Sequence, residues 1–206
     1  MFNVLLFIKE NNFVNRIYRK VSYLFKIIPF YLVEERLIPD LELSLEPGLK
    51  NLTARILSPA EVAELGANPE TLGPSNIFLE KLKHGYQCMG LLHRGQVVAY
   101  SWFSLERCEY KTFGFHLKEN EAYLCDARTF KKYRGKNLAP YLRYQLYKEL
   151  AHRGRSKFFS FTISGSTSSV RFKEKLGAKP FQLYLYVELL KKYGVVIPIK
   201  KMNLSL

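Results

Sequence analysis

The chain has 206 residues, of which 48% are hydrophobic and 15% aromatic, and a formal net charge of +14. This composition indicates a packed globular domain with an appendage and excludes a disordered chain. Cys88, Cys108 and Cys125 have neither zinc-ligand nor CxxC spacing, so we predict no disulfide framework and no metal site. A reducing, cytoplasmic compartment is the simplest interpretation.

The basic excess lies in the last part of the chain. Residues 128–206 carry 18 Lys or Arg and 3 Asp or Glu, whereas residues 1–45 carry 6 and 5, and residues 46–127 carry 8 and 10. Such a positive field attracts a polyanion, which can be nucleic acid, anionic lipid or a phosphorylated cofactor. Charge alone leaves these three classes open.

Residues 1–45 are predicted to be a helical appendage. The stretch 11–33 contains no acidic residue, and four apolar side chains recur near helical spacing: Phe13, Ile17, Leu24 and Ile28. The pattern is typical of an amphipathic helix that packs on its own core, on a second subunit in a homodimer, or on an anionic membrane surface. Lys26 and Pro29 interrupt the apolar stretch, so we expect no membrane span. The expected location is cytoplasmic, with peripheral attachment to the inner face of the membrane as the alternative.

Residues 46–206 are predicted to form one α/β domain. Hydrophobic periodicity and turn residues predict the elements in this order: a strand at 52–57, a helix capped by Ser58, a helix at 76–83, a hairpin of 86–93 and 97–104, a strand near 112–117, a strand at 122–129, a helix at 138–152, a strand at 157–163, a helix at 168–176 and a strand at 181–189. This order predicts a mixed sheet with helices on both faces.

The junction at residues 126–139 is the most informative segment. A strand ends, a basic turn follows, and a long helix begins. A helix N-terminus offers unpaired N–H groups and the positive end of the helix dipole, and a turn lined with N–H groups forms an anion nest. Arg134 and Lys136 add charge, and Gly135 allows close approach of the backbone. The junction predicts a pyrophosphate site; the alternative is an ordinary basic turn before a helix.

The same junction resembles a signature of the GNAT superfamily of N-acetyltransferases. That signature is Arg or Gln, two residues, Gly, one residue, then Gly or Ala; Arg134 and Ala139 match its ends, and Asn137 stands at its middle glycine. Asparagine tolerates left-handed geometry. Residues 169–178 resemble the second signature of the family, and residues 52–65 resemble its opening strand and capped helix. The resemblance covers about residues 50–190 and implies a mostly antiparallel sheet.

The resemblance implies a co-substrate, acetyl-CoA or another acyl-CoA, and a set of residues that bind it. Its pyrophosphate is expected on the backbone of the junction, its pantetheine arm along the preceding strand, and Ser166 replaces an asparagine of the family near the second signature. These residues are Ala127, Arg128, Thr129, Arg134, Gly135, Lys136, Asn137, Leu138, Ala139 and Ser166. An amine attacks the thioester directly, without a covalent enzyme intermediate. An acyl carrier protein is an alternative donor, because its acidic surface suits the basic half of the chain.

The resemblance also indicates where acid–base groups are expected. Tyr123 stands where some members keep a glutamate, so the base is Glu121 or Asp126. Asp126 is five residues from Glu121 and points to the opposite face of the strand unless a bulge intervenes. Lys173 stands at the position of the tyrosine that acts as the acid in the family, and can protonate the leaving thiolate or contact phosphate. Two tyrosines are alternatives for the acid: Tyr184 and Tyr186.

Three functions remain open from the sequence. The first is an N-acyltransferase that acts on a primary amine of a small molecule, an amino sugar or a peptide. The second is a non-catalytic binding module with a GNAT-like fold, which the departures at Asn137, Lys173 and Ser166 favour. The third is a nucleic-acid-binding protein, although the basic half lacks a recognisable helix-turn-helix, RRM or zinc module.

Overall fold

A computed structural model describes residues 24–46, 49, 51–71 and 75–202. The strands in these residues are β1 (Phe25–Glu35), β2 (Leu52–Ile56), β3 (Gln87–His93), β4 (Gln96–Ser104), β5 (Arg107–Tyr110), β6 (Phe113–His116), β7 (Glu121–Thr129), β8 (Lys157–Ile163), β9 (Lys179–Leu189) and β10 (Tyr193–Lys201). The α-helices are α1 (Pro59–Ala67), α2 (Ser75–Lys83), α3 (Leu138–His152) and α4 (Thr167–Glu174). A 3₁₀ turn at Lys131–Tyr133 precedes α3.

Eight strands form one sheet in the order β10-β9-β1-β8-β7-β4-β3-β2, and β5 and β6 form a separate hairpin. Every neighbouring pair is antiparallel except β7 and β8. One apolar core lies between the sheet and the helices α1 and α2, and a second lies under the leucine stripe of α3. The predicted mixed, mostly antiparallel sheet with helices on both faces is confirmed.

The N-terminal prediction is wrong for residues 25–33, which form most of β1 instead of a helix. β1 pairs with β8 on one side and β9 on the other, so its backbone groups are bonded within the sheet and not along a helix. Leu32 packs into the first core, Phe30 is buried against the rings of Tyr110, Phe161 and Tyr184, and the sheet pairing favours the β-branched residues of this segment. Residues 25–35 therefore belong to the main sheet. Residues 11–23 of the expected helix lie outside the described residues.

Most other elements fall where the sequence places them. Ser58 caps α1 in a capping box with Glu61, and Pro59 occupies the first helical turn. The helix expected at 138–152 has those bounds, with Leu138, Leu142, Leu146 and Leu150 buried on one stripe. Besides β1, two strands were not expected, β5 and β10.

No helix in the described ranges is long and apolar enough to cross a bilayer. Over the same ranges, no three or more His, Cys, Asp or Glu side chains cluster in a way that could hold a metal ion.

Candidate functional site

The only parallel pair in the described part of the sheet separates along its length. β7 and β8 are paired at three positions, Glu121 with Lys157, Ala122 with Phe158, and Tyr123 with Phe159. Beyond Tyr123 no ladder pair between them is found in the part of the chain that the structure describes. From Leu124 to Thr129, the backbone of β7 on the side of β8 is therefore not paired with β8. Such an edge can pair with an extended ligand.

A β-bulge re-aims the side chains of β7 in the same region. Trp102 of β4 pairs with Cys125, but Tyr100 pairs with Arg128, so β7 carries one extra residue between these positions. Asp126 lies in the bulge and has a φ of +45°. Without the bulge Asp126 would point away from the face of Tyr123; with it, both side chains line the same cavity.

That cavity has a volume of about 370 Å³ and opens beside α2, on the face of the sheet that carries α1 and α2. Its chemistry combines tyrosine rings with carboxylates and cations. The lining consists of Ile77, Glu80, Lys81, His84, Tyr86, Glu109, Tyr110, Lys111, Tyr123, Cys125 and Asp126. The volume is in the range of small-molecule sites.

An ion pair between Lys81 of α2 and Asp126 lies in the lining of this cavity. The Lys81 ammonium also lies 5.0 Å from the ring centre of Tyr86 and 5.3 Å from that of Trp102. Burial alone would lower the pKa of Lys81, but the neighbouring Cys125 and Asp126 raise it overall. The ammonium therefore stays charged and holds the Asp126 carboxylate in place.

Other groups of the lining are neutral at pH 7. The Tyr86 hydroxyl donates a 2.8 Å hydrogen bond to Glu109, and burial together with this carboxylate raises the pKa of Tyr86. Burial raises the pKa of Cys125 to about 12 and that of Tyr123 well above its usual value. Cys125 is therefore a thiol and no nucleophile here, since nucleophilic attack requires a thiolate.

The loop between β7 and α3 has the geometry of an anion nest. Gly135 and Asn137 both have positive φ, +80° and +56°, on either side of Lys136. Asn137 is the N-cap of α3, and its side chain makes no capping hydrogen bond. The left-handed conformation expected of an asparagine at the middle glycine is present. The backbone N–H groups at the start of α3 can thus face an anion.

Two buried polar atoms just before this loop have no hydrogen-bond partner among the described residues. They are Nε of Arg128 and Oγ1 of Thr129, and both residues lie on the free part of β7. Buried polar groups are normally bonded, so these atoms fit a site that a polar ligand completes.

Residues 36–46, here called the strap, run from β1 to this loop. Glu46 pairs with Lys136 at 2.5 Å, and the carbonyl oxygen of Ser44 accepts a hydrogen bond of 2.9 Å from Nδ2 of Asn137. Four strap leucines pack on the second core: Leu37, Leu41, Leu43 and Leu45. The strap thus places a carboxylate on the loop where the sequence predicts a phosphate.

On the opposite face of the sheet, Lys173 lies in a buried polar network. Its ammonium donates to Ser160, Thr162 and the carbonyl oxygen of Phe161, and lies 3.8 Å from Glu35. Burial lowers the pKa of Lys173 to about 8, with Glu35 opposing this effect and Arg143 adding to it.

Glu35 is the anionic centre of this network. It also contacts Tyr147, Ser160 and Arg143. Burial would raise the pKa of Glu35, but Arg143 and Lys173 lower it overall, so the carboxylate is charged.

The predicted acid–base residues are not brought together. Asp126 lines the 370 Å³ cavity, whereas Lys173 lines a separate cavity of about 210 Å³ beside α4. Glu121 is buried at the start of β7, where its carboxylate accepts a 3.0 Å hydrogen bond from the N–H of Lys118, and it does not line the 370 Å³ cavity. Ser166 is the N-cap of α4 and donates to Ser169.

The alternative tyrosines do not line the cavity. Tyr184 stacks on Phe30 with ring centres 5.4 Å apart, and the hydroxyl of Tyr186 donates to Glu188.

Sequence reasoning did not single out Lys81, Tyr86, Glu109 or Tyr110. They come from α2, β5 and the loop before β3, which meet only in the folded chain. A lysine on a short polar helix is normally solvated, so no sequence signal distinguishes Lys81.

Comparison of the fold with solved structures gives a consistent result. The chain is similar to a GCN5-related N-acetyltransferase from Sphaerobacter thermophilus, with a TM-score of 0.57, 11% identity, and coverage of 85% of this chain and 56% of the other. It is similar to a tandem GNAT protein from the clavulanic acid biosynthesis pathway, with a TM-score of 0.58, 12% identity, and coverage of 85% and 58%. A GNAT-family acetyltransferase from Colwellia psychrerythraea gives a TM-score of 0.55, 16% identity, and coverage of 85% and 60%.

The chain has the GNAT fold. It spans less than two thirds of the length of each of these solved structures. No family model and no curated protein matches the sequence. In this GNAT fold, β7 is the strand that separates from β8, and the loop at Arg134 to Ala139 follows β7.

Proposed function

We propose that this GNAT-fold protein is an N-acyltransferase that moves an acyl group from CoA to a primary amine. The observation that carries the proposal is the bulge in β7. It puts the Asp126 carboxylate into a cavity of small-molecule size, while the same strand presents a free edge and leads into an anion nest. These three features fit direct transfer of an acyl group from a thioester to an amine.

The free edge and the loop fit acyl-CoA as a co-substrate. Backbone N–H groups at the loop can bind its pyrophosphate, and Lys136 and Arg134 add positive charge. The free backbone of Ala127 to Thr129 can pair with the pantetheine arm, and Thr129 Oγ1 and Arg128 Nε are buried atoms that lack a partner in the described residues. Acetyl-CoA is the default donor; a longer acyl-CoA or an acyl carrier protein is the alternative.

The 370 Å³ cavity fits a cationic amine as acceptor. Glu80, Glu109 and Asp126 supply three negative charges against the two positive charges of Lys81 and Lys111, and the rings of Tyr86 and Tyr110 supply aromatic faces. The size favours an amino sugar or another small amine over a folded protein, and the end of a peptide is a further candidate.

In the proposed reaction, Asp126 takes a proton from the bound ammonium, directly or through water. The amine nitrogen then attacks the thioester carbonyl carbon, the C–S bond breaks, and the thiolate of CoA takes up a proton. That proton balances the one that the attacking nitrogen loses as the amide forms, and Lys173 is not its source because it lines the separate cavity beside α4.

Ligand binding and turnover test the proposal in two steps. Thermal unfolding with CoA, acetyl-CoA and longer acyl-CoAs should show stabilisation, and thiol release should then follow with members of a panel of small amines and amino sugars. If no CoA species stabilises the protein at millimolar concentration, the proposal is wrong. Acyl carrier protein is tested as donor in the same assay.

A non-catalytic GNAT-like binding module is the second candidate. The strap favours it, since Glu46 and Ser44 already engage the loop that would bind phosphate. This candidate predicts stabilisation by CoA without thiol release or a mass increase on any amine of the panel. A duplex oligonucleotide in the thermal assay tests the nucleic-acid alternative.

A further inference from the structure

One face of the three-strand group β10-β9-β1 is apolar and exposed. The strands are in register, so that the side chains on this face form three rows across the strands. The rows are Phe25–Leu189–Tyr193, Ile27–Val187–Val195 and Pro29–Leu185–Ile197. Phe25, Ile27, Tyr193 and Val195 are each more than half exposed. We call these nine residues the apolar sheet face.

The opposite face of the same strands is covered. The hairpin of β5 and β6 packs there, with Tyr110 on Phe30 at 4.8 Å and Phe113 on Tyr184 at 4.7 Å between ring centres. An ordinary edge of a sheet exposes polar side chains on its open face. Nine neighbouring apolar residues instead form a patch of the kind that marks an interaction surface.

The charges beside the apolar sheet face are mainly positive. Lys192 lies 5.2 Å from the ring centre of Tyr193, and Lys200 is opposite Leu183, which continues the face by one row. Glu188 is on the other face and bonded to Tyr186. Glu174 lies in the cavity beside α4 and is not one of the residues of the apolar sheet face.

We propose that the apolar sheet face docks on the surface of an anionic lipid bilayer. Its apolar side chains would enter the boundary between head groups and acyl chains, and Lys192 and Lys200 would meet lipid phosphates. Two copies docked through this face would bring their own lysines together. Residues 1–23 of the chain carry Arg16, Arg19 and Lys20 and would add further positive charge. Anionic lipid complements the positive charge beside the apolar sheet face. A second copy of the chain, or residues 1–23 laid on this face, would instead add positive charge to it.

Vesicle sedimentation of the full chain tests the proposal. The probes are vesicles of phosphatidylcholine alone and vesicles of phosphatidylcholine with phosphatidylglycerol in about a 2:1 ratio. The protein should pellet with the mixed vesicles and not with the neutral ones. The double variant Ile27→Glu, Val195→Glu should bind the mixed vesicles about ten-fold more weakly or worse, because two carboxylates enter the apolar surface.

Matched controls separate this effect from a general change. Leu79→Glu on α2 replaces an exposed apolar side chain outside the apolar sheet face and should bind vesicles like the unaltered protein. Lys200→Glu should weaken binding more than Lys148→Glu on α3, which changes net charge equally. All variants alter exposed residues, and their thermal unfolding and elution volume verify that they fold.

Four results would overturn the proposal. The first is that the double variant Ile27→Glu, Val195→Glu pellets with the mixed vesicles as much as Leu79→Glu does. The second is that the unaltered protein binds neutral and mixed vesicles equally. The third is a dimer that the double variant converts to monomer without any vesicle binding, which would assign the face to a second copy. The fourth is pelleting of the double variant that equals that of the unaltered protein, together with trypsin cleavage at Arg16, Arg19 or Lys20 that occurs only in the variant. This result would assign the face to residues 1–23.

Discussion

The ammonium of Lys81 and the carboxylate of Asp126 form an ion pair that joins α2 to the bulge of β7. Because Lys81 is also held between the rings of Tyr86 and Trp102, the pair fixes where the Asp126 carboxylate points. The bulge turns Asp126 toward the cavity, and the ion pair keeps it there. The bulge and the ion pair together hold the Asp126 carboxylate in the cavity.

Asp126→Asn is expected to lower kcat/KM about 10²- to 10⁴-fold, as loss of a general base does. Stability should change by no more than about 1 kcal/mol, because Asp126 is half exposed and surface ion pairs contribute little. Steady-state kinetics with a responsive amine and thermal unfolding measure the two effects. Glu64→Gln, an exposed carboxylate on α1, is the control. Unchanged kcat/KM in Asp126→Asn would remove Asp126 as the base.

Glu46→Gln is expected to strengthen CoA binding. The substitution removes the carboxylate that pairs with Lys136 at the loop, and an exposed ion pair of about 0.2–1 kcal/mol corresponds to a gain of about 1.4- to 5-fold in affinity. Calorimetric titration with CoA measures the dissociation constant. Glu42→Gln in the same strap is the control, and an equal gain there would show that the effect is only one of net charge.

Substitutions of Asn137 test whether left-handed geometry shapes the loop. Asn137→Gly keeps a φ of +56° without strain and should retain CoA binding. Asn137→Val should destabilise the fold by about 1–2 kcal/mol and weaken CoA binding, since a β-branched residue disfavours this conformation. Both variants lose the contacts of the amide side chain to Ser44 and Lys175, so they are matched in that respect. Equal affinity of the two would argue against the nest.

The buried Lys173 should make stability depend on alkaline pH. Its pKa is about 8 in the folded protein and 10.5 ordinarily, so between these values the unfolded chain binds more protons. Stability should therefore rise with pH from about 8 toward 10.5, by at most about 1.4 kcal/mol per pH unit. Below pH 8 both states are protonated and this dependence disappears.

Lys173→Met isolates this contribution. The variant should lose the alkaline rise in stability that the unaltered protein shows, and should be less stable at pH 7 because Glu35 loses one of its two cations. Denaturant unfolding at pH 7 to 10 measures both. An identical pH dependence in the two proteins would show that Lys173 is not the titrating group.

The sequence by itself determined the elements whose signals are local. The capping box at Ser58, the leucine stripe of α3 and the left-handed conformation of Asn137 depend on neighbours within a few positions, and each is found as expected. The order of the elements predicted a mixed sheet with helices on both faces, and the resemblance of residues 134–139 and 169–178 to two signatures of the GNAT superfamily implied its fold and the position of the loop.

Only the tertiary structure decided the features that depend on distant pairing. Residues 25–33 have an apolar pattern compatible with a helix, and they became a strand because the edges of β8 and β9 offer hydrogen bonds on both sides. The bulge at Asp126 arises from the register between β4 and β7, which leaves no mark in the local sequence. For the same reason the sequence did not indicate that Asp126 lines the cavity, whereas Glu121 is buried at the start of β7 with its carboxylate bonded to the N–H of Lys118.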